Sequence, residues 1–300
     1  MSEQIHPAPP RRAAAFAGTF YPAEPASCRA AAKGYLAAGG NGLSSFTWRG
    51  AIVPHAGWVC SAAIAGESIA TIARGMDVPP DVVVVFGAIH TPLPAERAIL
   101  SSADIWELPT GDMRVQTELR DALHADKRLF ETSDRFHANE HAIEVELPLV
   151  QSAWPNAMLL PIEVPPTEIS LKIGDAVVAE VRKRNLSAVY LASSDLTHYG
   201  PDYGFAPAGV GMEGLAWAKQ NDRRLLDTVL ALTPHNVIQE ARQNRNACGA
   251  GAIAAMVAAC LADGSTRSRL LRHANSFETL ATVYPQPPTD AVGYAALVVG

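Results

Sequence analysis

Asp81-Val82-Val83-Val84-Val85-Phe86-Gly87-Ala88-Ile89 constrains the fold more than any other stretch of this chain. It is short and β-rich, and it is apolar at successive positions rather than alternate ones. A strand with one wet face would alternate, so this one needs cover on both faces, as strands of parallel sheets have. Gly50-Ala51-Ile52-Val53-Pro54, Met158 to Val164, Leu186 to Ala192 and Gly293 to Val299 read as further interior strands. Helical patterns separate them at 26–38, 61–74, 167–184, 213–232, 234–244 and 252–262. The alternation predicts an α/β fold with a largely parallel central sheet flanked by helices. Strands 50–54 and 81–89, with the helix between them, read as one βαβ unit with a right-handed crossover.

Three of these strands end in polar, titratable residues, which is where open α/β sheets build their sites. His55 follows Pro54, which cannot donate to a ladder and so ends its strand. His90 follows Gly87-Ala88-Ile89. Ser193-Ser194-Asp195-Leu196-Thr197-His198-Tyr199-Gly200 follows the strand at 186–192. Adjacent parallel strands lie about 4.8 Å apart, which would bring His55 and His90 within reach of one ion. His198 reads as a third ligand or a general base, with Asp195 orienting it or another group. Cys248 precedes Gly249-Ala250-Gly251 at the start of a helix, where the dipole should lower a thiol pKa and favour a ligand or nucleophile. Each residue alone has a plainer reading: a hydrogen-bonded histidine, a capping aspartate, a small buried cysteine. Glu140 and His141 open a helical segment in which Glu140 and Glu144 should share a face one turn apart.

Composition sets the bounds. The 300 residues are 48% hydrophobic and 18% charged, enough for a large core. No linker or repeat interrupts residues 13–300, which are expected to form a single domain behind a loose, proline-rich tail at 1–12. The formal charge of -6 leaves no basic footprint for nucleic acid. No apolar run reaches the roughly 18 residues of a membrane span, and Met1 to Arg12 carries no signal-peptide pattern. Cys28, Cys60, Cys248 and Cys260 have no CxxC spacing, which fits a reducing, cytoplasmic setting. The Gly- and Pro-rich segment 201–213 is expected to form an ordered loop over the site.

The blocks AGTFYP (17–22), VPHAGW (53–58), GAIH (87–90), EHAIEVELP (140–148), SSDLTHYG (193–200) and NACGAGAI (246–253) together resemble the Memo family, which includes bacterial AmmeMemoRadiSam system protein B. The resemblance spans residues 11–299. It implies a fold similar to the class III, LigB-type extradiol dioxygenases and a metal site falling on His55, His90 and Cys248. It places His198 at the acid/base position with Asp195 beside it, and puts Glu140, His141, Trp58 and Ser194 in the substrate cleft. Trp58 departs from the tyrosine common there, a change expected at the pocket mouth. The segment 201–213 has no counterpart in the pattern.

A thiolate beside two imidazoles favours Fe(II) first in this context, with Cu and Zn as alternatives. Three readings follow. One is a non-haem iron redox enzyme or dioxygenase acting on a small aromatic or hydroxylated substrate. The second is a non-catalytic protein that binds copper, iron or a peptide. The third is a hydrolase with Cys248 as nucleophile. Expected partners are a small-molecule substrate or a metal donor or acceptor, without nucleic acid or membrane; the oligomeric state, a homo-oligomer included, stays open.

Overall fold

A computed structural model describes residues 8–40, 46–281, 283–284 and 287–300. In chain order its strands are β1 (Arg11–Arg12), β2 (Gly50–Val53), β3 (Val82–Gly87), β4 (Ala98–Leu100), β5 (Ile105–Trp106), β6 (Met113–Arg114), β7 (Phe130–Thr132), β8 (Met158–Glu163), β9 (Ala188–Ser193), β10 (His198–Tyr199), β11 (Ser268–Asn275) and β12 (Ala291–Val299). The large sheet runs β10-β12-β2-β9-β3-β8-β4-β7, with β11 also paired to β12. Its central strands β2, β9, β3 and β8 are parallel, and antiparallel pairs join β12 to β2 and β4 to β8. A small second sheet, β1-β5-β6, lies apart.

The valine run in β3 is covered on both faces, as its pattern requires. Val82, Val84 and Phe86 join one core with the helices Ile169–Lys183 and Ala250–Ala262. Val83 and Val85 join another with the helices Trp58–Arg74 and Leu147–Ala153. Each fully buried valine contributes about 1.5–3 kcal/mol of apolar transfer, so the run ties the two layers together. The helix Ala250–Ala262 is buried along nearly its whole length, which its alanine-rich, almost uncharged sequence allows.

Three sequence expectations need correction. The βαβ unit is not made of neighbours: β9 lies between β2 and β3, pairing with both in parallel register. β9 is apolar on both faces, so it can fill the central place that the crossover leaves open. The tail expected over 1–12 ends early, because Arg11 and Arg12 pair with Ile105 and Trp106. Residues 1–7 lie outside the described residues. The strand expected over 269–284 stops at Asn275, where a capping box with Glu278 starts the helix Ser276–Leu280. Residue 282 of that span is also outside the described residues. Among the described residues, no helix is long and apolar enough to cross a membrane.

Candidate metal centre

The carboxyl ends of β2, β9 and β3 carry the site. His55 lies two residues beyond β2 and is 1% exposed. Its backbone N–H donates to Asp195 Oδ1 at 2.8 Å, and its Nδ1 lies 2.8 Å from Ser193 Oγ. The Ser193 hydroxyl has one proton, and it goes to the Ala142 carbonyl. Ser193 must therefore accept from His55 Nδ1–H, which leaves Nε2 with its lone pair free. That Nε2 faces Cys248 Sγ at 3.2 Å.

His90 is fixed by Glu140. One carboxylate oxygen accepts the His90 backbone N–H at 2.7 Å and the other lies 2.9 Å from Nδ1. A carboxylate only accepts, so Nδ1 carries the proton and Nε2 is again the free nitrogen. Glu140 also caps the short helix His141–Glu144 by accepting from Ala142 N. This cap puts His141 beside His90, with ring centroids 4.5 Å apart in a stacked pair. The His55 ring lies edge-on to both, 5.1 Å from each.

One ring nitrogen from each of His55, His90 and His141 lies within 4.8 Å of the others. Donors around an ion at about 2.1 Å stand about 3–4 Å apart, so a small contraction suffices to hold one. His141 enters here as a candidate donor, where the sequence reading had it only as a cleft residue. Its signal was the capping pair itself: a glutamate that starts a helix turns the next side chain toward whatever the glutamate binds.

Electrostatics distinguish the three rings. Burial, with the charges of His141 and His90, holds His55 well below the ordinary histidine range. Burial and His90 lower His141 to about 4. Burial lowers His90 too, but Cys248 and Glu140 outweigh it and push it up to about 10. One proton in the cluster therefore rests on His90, where a cation would compete with it.

Cys248 stands just before the helix Ala250–Ala262, with Gly249 at the cap. A Cβ on Gly249 would meet Ser193 O at 2.5 Å and Ser194 Cβ at 2.8 Å, so the glycine lets this turn press against the end of β9. Ser194 Oγ accepts from Gly249 N at 2.9 Å and lies 3.9 Å from Cys248 Sγ. The thiol pKa expected to fall is instead raised, because burial outweighs the pull of His90. Asp195, also buried, is pushed up to about 7 by desolvation, against the hydrogen bond from His55. Its main-chain carbonyl accepts from Cys248 N at 3.3 Å. Asp195 thus positions His55 and Cys248; its carboxylate does not bond His198.

His198 begins β10 and pairs in register with Val292. Its ring packs 5.1 Å from Tyr203, and its Nε2 has no hydrogen-bond partner among the described residues. Burial and the charge of His90 lower its pKa. Trp58 is 4% exposed, donates to Val145 O at 3.0 Å and packs against Tyr21 and Tyr35. It belongs to the core behind the site, which corrects the expectation of a pocket-mouth residue. Glu144 does not share a role with Glu140, since the intervening helix is a single turn. It is fully buried and accepts from Arg12 Nη1 at 2.7 Å, Ala15 N at 2.9 Å, Phe16 N at 2.8 Å and Tyr21 OH at 2.7 Å. This hub holds Phe16 and Phe20 against the His141 ring, at 5.5 and 5.0 Å. Sequence reading missed Arg12, Ser193 and this role of Glu144.

A family model described as Memo-like protein matches residues 12–298. A MEMO1 family protein of Methanosarcina barkeri is 30% identical over 292 residues, covering 96% of this chain and 99% of its own length. One from Methanopyrus kandleri is 29% identical over 300 residues, covering 96% and 98%. One from Methanosarcina acetivorans is 31% identical over 254 residues, covering 83% and 85%.

Proposed function

The chain belongs to the Memo family, and we propose that it binds one metal ion, Fe(II) first, through His55, His90 and either Cys248 or His141, and uses it in redox chemistry on a small aromatic or hydroxylated substrate. The observation that carries this reading is the pair of tautomers. Ser193 and Glu140 hold the Nδ1 protons of His55 and His90, which leaves both Nε2 atoms free as donors. Outer hydrogen bonds of this kind orient metal-binding histidines. A bound iron would supply a redox-active Lewis acid with positions left for substrate. Asp195 keeps His55 and Cys248 in place. His198, neutral at pH 7 and unpartnered at Nε2, is suited to take a proton from a substrate hydroxyl. The free cysteines fit a reducing, cytoplasmic setting.

Cys248 Sγ at 3.2 Å from His55 Nε2 favours one second reading, a thiol–imidazole pair for acyl transfer. Against it, burial raises the thiol pKa and keeps His55 from holding a proton. A third use, holding or passing on metal without turnover, shares the same donors.

The test is metal analysis of protein purified without oxygen, beside His55→Ala, His90→Ala, His141→Ala and Cys248→Ser. About one metal per chain is expected in the parent and none in the two strand-end histidine variants. Whichever of His141→Ala and Cys248→Ser also loses metal identifies the third donor. Full metal content in His55→Ala or His90→Ala would end the reading. Oxygen uptake with hydroxylated aromatics separates an enzyme from a holder, and trapping of Cys248 by an acylating reagent substrate would support the hydrolase.

A further inference from the structure

A cavity of about 410 Å³ opens beside the candidate centre and touches it through Cys248 and His198. Its walls include the apolar side chains of Leu196 and Ile238 together with two arginines, Arg242 and Arg245. Both arginines are exposed, and neither has a carboxylate partner among the described residues. Glu240, the carboxylate nearest them in sequence, is taken up by Asn244 Nδ2 at 2.8 Å and Asn246 Nδ2 at 3.1 Å. In a chain of net charge -6, two unpaired guanidiniums on one cavity wall are a local exception.

Arg245 carries a second sign. It ends the helix Pro234–Asn244 in the left-handed region, at φ 52°, where glycine or asparagine is the unstrained choice. Its guanidinium lies 4.6 Å over the Phe205 ring, so the segment 201–213 holds the side chain at the cavity. A strained position that keeps a long cation against an aromatic ring is a position whose side chain has a use.

We propose that this cavity is a subsite for an amphipathic organic anion, with an apolar body against Leu196 and Ile238 and an anionic head at Arg242 and Arg245. It deepens the metal-centre reading by giving the substrate class, and rests on that reading only for what happens at Cys248 and His198; binding at the arginines needs no metal. Arginine forks bind carboxylate and phosphate with charge-assisted hydrogen bonds, so the shared chemistry is a planar or tetrahedral oxyanion.

The test is calorimetric titration of the metal-free full chain with 4-phenylbutyrate, 3-phenylpropyl phosphate and neutral 4-phenylbutanol. The two anions are expected to bind at least about 10-fold more tightly than the alcohol, since a charged hydrogen bond is worth roughly that factor. The better of the two anions identifies the head group. Raising the salt from about 0.05 to 0.5 M should weaken the anions and leave the alcohol unchanged. Arg242→Gln with Arg245→Gln, both on exposed side chains, should bring the anions down to the alcohol's affinity. His55→Ala should keep the anion preference whether or not it keeps metal, which separates the two readings. Equal affinity for acid and alcohol, no binding of either anion at millimolar concentration, or an anion preference that survives both arginine substitutions would overturn the proposal.

Discussion

Glu140 holds His90 at two points, accepting the backbone N–H at 2.7 Å with one oxygen and facing Nδ1 at 2.9 Å with the other. The same carboxylate caps the helix that presents His141. One buried side chain therefore sets the place of the second histidine, its tautomer and the approach of the third. Although burial pushes Glu140 up, His90 outweighs it and holds Glu140 below the ordinary glutamate range.

Glu140→Gln keeps the shape but replaces one accepting oxygen with an amide that donates. The expected result is a 10–100-fold loss of metal affinity, the usual cost of removing an outer-shell partner, with an unchanged circular dichroism spectrum. Competition titration with a chelator measures it, and affinity within about twofold of the parent would show that Glu140 only caps the helix.

His198→Phe should retain metal and lose turnover by about 10²-fold or more, the ordinary contribution of a general base. Metal content and oxygen uptake are to be read on the same preparation. If the substitution strips metal as fully as His55→Ala does, His198 is a ligand. If turnover is untouched, another group moves the proton.

The Arg12–Glu144 pair predicts a stability effect away from the chemistry. Both side chains are nearly or wholly buried and bonded at 2.7 Å. Glu144→Ala strands a buried guanidinium and three further donors, so urea unfolding should report a loss of about 3–5 kcal/mol. The double variant with Arg12→Met should cost less than the two single losses summed, because the stranded charge is gone. Strict additivity would mean that the pair does not act as one unit.

Glu146 gives the pH dependence. It is fully buried, and neither carboxyl oxygen has a hydrogen-bond partner among the described residues. Burial, with the nearby Asp195, raises its pKa well above the usual 4.5. The folded chain then binds this proton more tightly than the unfolded one, so stability falls as pH rises through and beyond 4.5 toward the folded value. Glu146→Gln removes the titration. Its melting temperature should match the parent at pH 4 and exceed it by at least ~2 °C at pH 8. A difference that stays constant with pH would show that the carboxyl titrates alike in both states.

The layers were legible in the sequence because β3 and β9 are apolar on both faces, a pattern only a covered strand tolerates. Their order was not. Nothing in Gly50–Pro54 or Asp81–Ile89 says that a strand more than a hundred residues later will come between them, since strand order is decided by long-range packing. In the site, His55, His90 and Cys248 could be singled out because each breaks an apolar element. Ser193 and Arg12 could not: a serine at a strand end and an arginine near the start of the chain are ordinary until the fold shows what they touch. The raised thiol pKa was hidden for the same reason, because a helix start is visible in sequence and burial is not.

The distance along the chain between His55 and Cys248, 193 residues, has a bearing on biosynthesis. β2 has no parallel neighbour until β9 has been made, and His55 meets its thiol only after that. A nascent chain that has not yet reached Cys248 lacks part of the donor set, so a metal ion encountering it finds loose histidines rather than a pocket. The centre as a whole comes into being after translation has passed that cysteine, and its loading falls to whatever metal supply the released protein meets.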